Sequence, residues 1–194
     1  MVTLYSGTPG SGKSLYACYK IIDYLKSGRG VVANFPIDED YFKNPVSFSY
    51  IDNSKLTVSF LKQYALDNHL PDKENQTLIV IDEAGTFFNS RDWKSSDRLN
   101  WIKFFSQHRK LGYNVILIAQ FDKMIDSQIR PCIEIEEKFR AIKNYKAAGN
   151  VLSFLSGGLF CKIKFWYGAR LRLGAVYFRF HKSKAIYDSF RLFD

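Results

Sequence analysis

Cysteine, histidine and proline are scarce in this chain, and the scarcity of the first two closes several routes to function. Cys18, Cys132 and Cys161 are odd in number, far apart and without CxxC spacing. That argues against a disulfide framework and a cysteine-based zinc site, and fits a reducing cytosol in which all three are small buried hydrophobes. His69, His108 and His181 are scattered, so no histidine-based metal site is expected. Long apolar runs are missing as well. The longest candidate, VLSFLSGGLFC at 151–161, is interrupted by Gly157 and Gly158 and falls short of the roughly 18 residues of a membrane span. Met1 leads directly into a strand-like run, so no secretory leader is expected. Internal repeats, low-complexity segments and unstructured linkers are not apparent.

What is present is ample material for one core. The 194 residues suit one domain, or one domain with a small appendage, and aromatics are plentiful, with 17 Phe and 12 Tyr. The net charge of +9 suits nucleic acid or anionic lipid headgroups, although a basic surface can also be no more than that.

Hydrophobic periodicity divides the chain. Val2 to Tyr5 reads as a buried strand, and Ser11 to Lys26 as a helix with Leu15, Cys18, Ile22 and Leu25 at helical spacing, ended by Gly28. GVVANF at 30–35 reads as a strand stopped by Pro36. Val46 to Ile51 is extended, and Leu56 to Leu70 is helical up to Pro71. TLIVI at 77–81 and VILIA at 115–119 are wholly apolar, as expected of parallel strands covered on both faces. Between them Arg98 to Leu111 reads as a helix with Gly112 as its cap. Ile133 to Phe139 is a more polar strand, expected nearer a sheet edge. The alternation argues for an α/β fold, a mainly parallel sheet flanked by helices. After Gly149 the texture changes to two alternating apolar and basic runs, Leu159 to Trp166 and Leu173 to Phe180, which predict an antiparallel β-hairpin. The expected organisation is a core over 1–148 and a basic, aromatic hairpin appendage over 149–194.

The chemistry is concentrated in GTPGSGKS: Gly7, Thr8, Pro9, Gly10, Ser11, Gly12, Lys13 and Ser14. The string matches G-x-x-x-x-G-K-[ST], which arises by chance in roughly 1% or fewer of chains this long, and it has the strand before and helix after that the motif requires. Glycines let backbone N–H groups converge on phosphate oxygens, and the following helix N-terminus favours anions. Lys13 is expected to reach the β- and γ-phosphates of ATP and Ser14 to ligate Mg²⁺. The plainer reading is a glycine-rich turn with an exposed lysine.

LIVIDE at 78–83 supplies a second part. Asp82 is placed to serve the metal through water, and Glu83 to polarise an attacking water. The alternative is a solvated acidic pair at a strand end. Gln120, directly after VILIA, can contact the γ-phosphate or the attacking water, or can be a surface cap. Asp82–Glu83–Ala84–Gly85 also fits the D-x-x-G of GTPases, but the N-K-x-D guanine reader is absent, and the insertion between Asp38 and Asp72 lacks the arginines of a small-molecule kinase lid. The fold expectation is therefore a P-loop NTPase acting on ATP.

With these residues in hand, the chain resembles the Zot family, which includes the gene I assembly ATPases of filamentous phage. The resemblance rests on Thr3 to Ser14, on Val80–Ile81–Asp82–Glu83–Ala84, on the run Gln107–His108–Arg109–Lys110–Leu111–Gly112–Tyr113–Asn114–Val115, and on Ile118–Ala119–Gln120. It covers most of the chain to about residue 140, and the H-R-x-x-G helix before a strand ending in Gln is its most discriminating part. The resemblance implies an additional-strand P-loop ATPase related to DNA-pumping motors, working in the host cytoplasm on the cytoplasmic face of the inner membrane to assemble and export virions that contain single-stranded DNA. It implies a homo-oligomeric ring such as a hexamer, phage coat and assembly proteins as partners, and an arginine acting in trans, for which Arg91, Arg98, Arg109 and Arg130 are candidates. Family members usually continue into a membrane span and an outer domain. The toxin label belongs to those parts and is not carried over.

From Lys162 to Asp194 eight bases face two acids, with aromatics interleaved. This stretch can be a platform for single-stranded DNA, a contact with an anionic membrane surface, or a hairpin with its aromatic face buried. Beside the motor reading stand two others: a nucleotide-switched assembly scaffold with slow turnover, and a DNA translocase or helicase.

Overall fold

The computed structural model describes residues 1–89, 95–142, 159–179 and 186. Arg91 and the run at 151–158 lie outside these residues. Eight strands form one sheet in the order β3-β2-β4-β5-β1-β6-β7-β8. They are β1 (Val2–Ser6), β2 (Gly30–Ala33), β3 (Phe48–Tyr50), β4 (Thr77–Ile81), β5 (Tyr113–Ala119), β6 (Ile135–Ala141), β7 (Leu159–Trp166) and β8 (Leu171–Arg179). All neighbours from β3 to β6 are parallel; β7 and β8 add on antiparallel. β5 lies between β1 and β4, so one strand separates the strand that feeds the phosphate loop from the strand that ends in Asp82. This is the additional-strand arrangement of a P-loop NTPase.

α1 (Lys13–Lys26) covers one face, burying Ala17, Cys18, Ile21, Ile22 and Leu25 against Tyr5, Val31, Val80 and Ile118. Its C-terminus closes because Gly28, at φ 71°, donates to the Leu25 carbonyl while Arg29 donates to that of Tyr24, a pairing that satisfies two of the orphan carbonyls. The other face carries α2 (Val58–Asn68), the short α3 (Ala84–Phe87) and α4 (Ser95–Gln107). There Phe88, Trp101, Phe104 and Phe105 pack in largely edge-to-face contacts against Val115 and Leu117. β4 and β5 are sandwiched between these layers and almost wholly buried, as all-apolar strands must be.

Two sequence expectations are corrected. α4 spans Ser95–Gln107 rather than 98–111, because His108 to Gly112 form a tight turn in which Gly112 donates to the Arg109 carbonyl and Tyr113 to that of His108. β6 is an interior strand, not one near an edge. Its polar residues are neutralised within the sheet. Buried Glu137 accepts from buried Lys162 at 2.8 Å through both oxygens, and the lysine lies 4.0 Å over the Tyr16 ring. Buried Glu136 accepts from Ser6 Oγ at 2.7 Å and from Arg170 at 3.1 Å. The hairpin's aromatics are divided: Phe160 and Phe178 stack with each other, and Phe178 packs on Tyr16, while Trp166 and Tyr177 are exposed.

The H-R-x-x-G segment sits at the start of the strands, a full strand length from the phosphate loop. Arg109 pairs with Glu134, whose carboxylate also accepts from Val2 N at 2.9 Å and lies 3.7 Å from both the Met1 ammonium and the ring of His108. Burial alone would raise the Glu134 pKa, but the Val2 N–H, the N-terminal charge and Arg109 hold it below the ordinary value. Stability from Glu134 is therefore present above its unfolded-state pKa and lost as pH falls through the lower folded one. Glu134→Ala is expected to cost about 1–3 kcal/mol near neutrality. The gap in urea midpoint between it and wild type should narrow from about pH 7 to about pH 3; a pH-independent gap would contradict this account.

Candidate functional site

Four strands of the parallel sheet hand over, at their C-terminal ends, to polar residues or to the phosphate loop. In sheet order these are Asn34 after β2, Asp82 after β4, Gln120 after β5 and the loop from Gly7 after β1. Loops at this edge of an open parallel sheet are where such folds bind ligands.

The loop turns sharply at Gly7. Gly7 N donates to the Gln120 carbonyl at 3.0 Å, and a Cβ there would stand 2.5 Å from the Phe139 carbonyl oxygen. Gly12 has φ 94° just before α1, and a Cβ there would stand 2.8 Å from the Phe160 ring. Both positions therefore require glycine, for conformation and for space. Between them Ser11 N donates to the Thr8 carbonyl at 3.2 Å, and the Ser11 hydroxyl is buried with no hydrogen-bond partner among the described residues. Thr8, Pro9 and Gly10 are exposed at the loop's rim.

Lys13 opens α1 and folds back over the loop. Its Nζ donates to the carbonyls of Gly7 at 2.7 Å and Thr8 at 3.1 Å. Burial lowers its pKa, opposed by the carboxylates of Asp82 and Glu83. One residue on, Ser14 Oγ donates to Asp82 Oδ2 at 2.9 Å. This contact joins loop to carboxylate across the width of β5.

Asp82 is half-buried, and desolvation raises its pKa; the Glu83 N–H at 2.8 Å and the Ser14 hydroxyl pull it back. Its main chain is held from the other side. Asp82 N donates to Asn34 Oδ1 at 2.7 Å, Asn34 Nδ2 donates to the Asp82 carbonyl at 2.9 Å, and the same Nδ2 donates to Asn53 Oδ1 at 2.8 Å. Glu83 follows in the left-handed region at φ 53°, a conformation that costs a non-glycine residue about 1–2 kcal/mol. Its side chain is exposed and its carbonyl accepts from Thr86 and Phe87 to start α3. Gln120 is half-buried beside the loop.

The geometry thus brings Gly7 to Ser14, Asp82, Glu83 and Gln120 to one edge. The glycine-only turns at Gly7 and Gly12, the open space at Gly10, the orphaned Ser11 hydroxyl and the inward lysine fit a nucleotide's phosphates. Ser14 and Asp82 offer hard oxygen donors, and no cluster of three or more His, Cys, Asp or Glu able to hold a metal occurs among the described residues. A cation bound there needs most of its ligands from phosphate and water, which suits Mg²⁺.

Of the arginine candidates, Arg98 Nε lies 3.3 Å from buried Asp126, Arg109 is bound to Glu134, and Arg130 is half-buried in a turn after β5. Sequence reading missed Asn34, Asn53, Phe160 and the Ser6–Glu136–Arg170 chain, in which Arg170 also binds Asp122 at 2.8 Å. Asn34 carried a signal: like Asp82 and Gln120, it is a polar residue ending an apolar run.

The chain is 34% identical over 168 residues to the Gene 1 protein of Enterobacteria phage I2-2, a match covering 81% of this chain and 45% of that protein, so the chain spans less than half the length of that relative. The N-terminal domain of zonular occludens toxin from Neisseria meningitidis superposes with a TM-score of 0.60 at 17% identity, over 96% of this chain and 98% of that one. The genome packaging NTPase B204 of Sulfolobus turreted icosahedral virus 2, solved with AMPPCP, superposes at 0.53 with 15% identity, over 92% and 96%. These two likenesses show a shared fold. The family model of zonular occludens toxin (Zot) matches residues 1–149, a span that takes in the phosphate loop, Asn34, Asp82 and Gln120, and the chain therefore belongs to the Zot family.

Proposed function

We propose that this chain is an ATP-hydrolysing motor domain that drives filamentous phage assembly and export at the host inner membrane. The observation that carries the reading is the Ser14–Asp82 contact beside Lys13, which assembles the parts of an ATPase site across one intervening strand. The phage Gene 1 relative and the packaging NTPase of the same fold support the assembly role.

In this reading the loop amides from Gly7 to Ser14 hold the phosphates, and Lys13 exchanges its two carbonyl partners for β- and γ-phosphate oxygens. Ser14 and Asp82 hold Mg²⁺, which when bound neutralises charge developing on the phosphates. Glu83, exposed at the site's rim, polarises the attacking water, and Gln120 contacts the γ-phosphate or that water. Half-buried Asp82, bonded to Ser14, beside exposed Glu83 suits this division between metal ligand and base. The phosphate-loop unit up to residue 148 carries the chemistry and the unit from 149 the attachments. A ring of copies, with Arg91, Arg98, Arg109 or Arg130 of one copy reaching the next, completes the site.

The hairpin is the proposed attachment to the anionic inner leaflet. β7, β8 and their turn contain no acidic residue. Lys164, Arg172 and Arg179 stand among exposed Trp166, Leu171, Leu173 and Val176, whereas Lys162 and Arg170 are engaged internally. Exposed Leu171, Leu173 and Val176 favour lipid, and exposed Trp166 and Tyr177 suit the headgroup depth of a membrane surface. Among the described residues no helix is long and apolar enough to cross a membrane.

Three outcomes are expected. Lys13→Ala weakens ATP binding and abolishes turnover, measured by nucleotide titration and phosphate release; wild-type affinity and rate would remove the site assignment. Glu83→Gln binds ATP as wild type does but hydrolyses it roughly 10²–10⁴-fold more slowly in single turnover; an unchanged rate would show that Glu83 is not the base and would favour a slow nucleotide-switched scaffold. Neutralising Lys164, Arg172 and Arg179 together reduces co-sedimentation with anionic vesicles at low salt, where surface attraction is strongest, and leaves ATP affinity unchanged; undiminished vesicle binding would refute the hairpin's role.

A further inference from the structure

The turn that carries Asp82 and Glu83 is held by a side chain from the neighbouring strand. β2 and β4 pair in register as far as Ala33 and Val80, and Asn34 N still reaches the Val80 carbonyl at 3.3 Å. Beyond that point the backbone ladder stops and the Asn34 side chain replaces it. Its carbonyl oxygen accepts from Asp82 N at 2.7 Å and its amide donates to the Asp82 carbonyl at 2.9 Å. The two bonds reproduce a rung of sheet pairing with a side-chain amide instead of a peptide. The amide orientation is unambiguous, because the Asp82 N–H needs an acceptor and the Asp82 carbonyl a donor. The second amide hydrogen is directed to Asn53 Oδ1 at 2.8 Å.

Asn34 is nearly fully buried, at 8% exposure, while Asn53 is exposed on the loop after β3. The loop is tied to β2 independently, since Ile51 N donates to the Ala33 carbonyl at 2.9 Å. Every polar hydrogen and the carbonyl of Asn34's side chain are thus used, and two of its three bonds fall on the peptide groups of one residue. That residue's carboxylate meets Ser14 through Oδ2 and the Glu83 N–H through Oδ1. Glu83 in turn occupies the left-handed conformation, which an unsupported glutamate would leave.

We propose that Asn34 is a positioning residue for the Asp82–Glu83 turn, oriented by Asn53, and that this pair relays the placement of the loop after β3 to the carboxylates. The inference rests on the ATPase reading of the site and adds residues that neither the phosphate loop nor the acidic pair contains. It separates binding from chemistry. The phosphate loop is anchored through the bond from Gly7 N to the Gln120 carbonyl and shares no hydrogen bond with Asn34 among the described residues, so nucleotide affinity without Mg²⁺ should not depend on it.

The test compares wild type, Asn34→Ala and Asn53→Ala by three readouts: ADP affinity with and without Mg²⁺, kcat and KM for ATP, and amide exchange of Asp82 in the protein without nucleotide. For Asn34→Ala the expected result is Mg²⁺-free ADP affinity within about 2-fold of wild type, loss of the extra affinity conferred by Mg²⁺, and kcat lowered about 10–100-fold with KM little changed. Asp82 amide exchange should accelerate about 5-fold or more. Asn53→Ala, a substitution at an exposed site, should move kcat and amide exchange in the same direction by about 3–10-fold. It keeps the proposal testable if Asn34→Ala does not fold. Wild-type kcat and Mg²⁺ dependence in a folded Asn34→Ala, or an Asn53→Ala variant without change in kcat and Asp82 exchange, would overturn the proposal. A wild-type protein that binds ADP with no Mg²⁺ dependence and hydrolyses no ATP would instead overturn the ATPase reading.

Discussion

The hydrogen bond from Ser14 to Asp82 is the point on which the architecture converges. The two residues follow strands that are not neighbours, Ser14 at the start of α1 beyond β1 and Asp82 just past β4, and with adjacent strands about 4.8 Å apart the intervening β5 puts β1 and β4 about 10 Å from each other. Only a loop that leaves β1, turns at a position with no Cβ, and enters a helix crossing over β5 can bring a hydroxyl to that carboxylate. Gly7 and Gly12 make the turn possible, α1's apolar stripe fixes the crossing, and Lys13 lies in the gap. On the far side Asn34 fixes the carboxylate's own backbone. An error in any of these would be read out as a distance at one contact of 2.9 Å.

The sheet's two ends divide their labour. At the C-terminal end Glu83 is exposed and the buried Ser11 hydroxyl lacks a hydrogen-bond partner among the described residues, as suits a ligand site. At the N-terminal end the polar groups are drawn together around Glu134, with His108 Nε2 left without a hydrogen bond among the described residues. Glu134 gathers the N-terminal ammonium, the first strand amide, His108 and Arg109, and Asn114 takes the ammonium while donating to Tyr24 Oη at 2.7 Å. The His–Arg pair that looked most distinctive in the sequence therefore locks β1 to the segment before β6, within the same chain. Buried charge in the hairpin serves the same purpose. Lys162 with Glu137 is costly to desolvate, and its geometry, bidentate and under an aromatic ring, specifies one register for β7.

Much of this was legible from the residues because it is local. The phosphate loop is contiguous, the buried strands announce themselves as unbroken apolar runs, and Asp82 stands where such a run stops. The β-hairpin was legible from its alternation, with β8 beginning at Leu171 instead of Leu173. What escaped depends on partners distant in sequence. β6 looked like a strand near an edge because Glu136 and Glu137 seemed to need solvent, and their cations arrive about 25 to 34 residues later. Asn34 and Asp82 are 48 residues apart and become neighbours only once β2 is known to lie beside β4. The end of α4 was misread because the apolar period continues through Leu111 while His108 Nδ1 already faces the Phe105 carbonyl in the closing turn.

β8 has a consequence of its own. It runs for nine residues and, among the described residues, pairs with β7 alone and leaves most of one row of backbone donors and acceptors open at the sheet's margin. With Leu171, Leu173, Val176 and Tyr177 exposed along it, such a margin is a template on which a second chain could add a strand. Arg172 and Arg179 lie on it and Lys164 on the strand beside it, with no acid in the hairpin to pair with. Two copies approaching margin to margin meet like charge before they can exchange hydrogen bonds. Solubility at this margin is therefore electrostatic in origin: it weakens as ionic strength rises and the screening length shortens, and a polyanion that neutralises those bases would remove the same barrier.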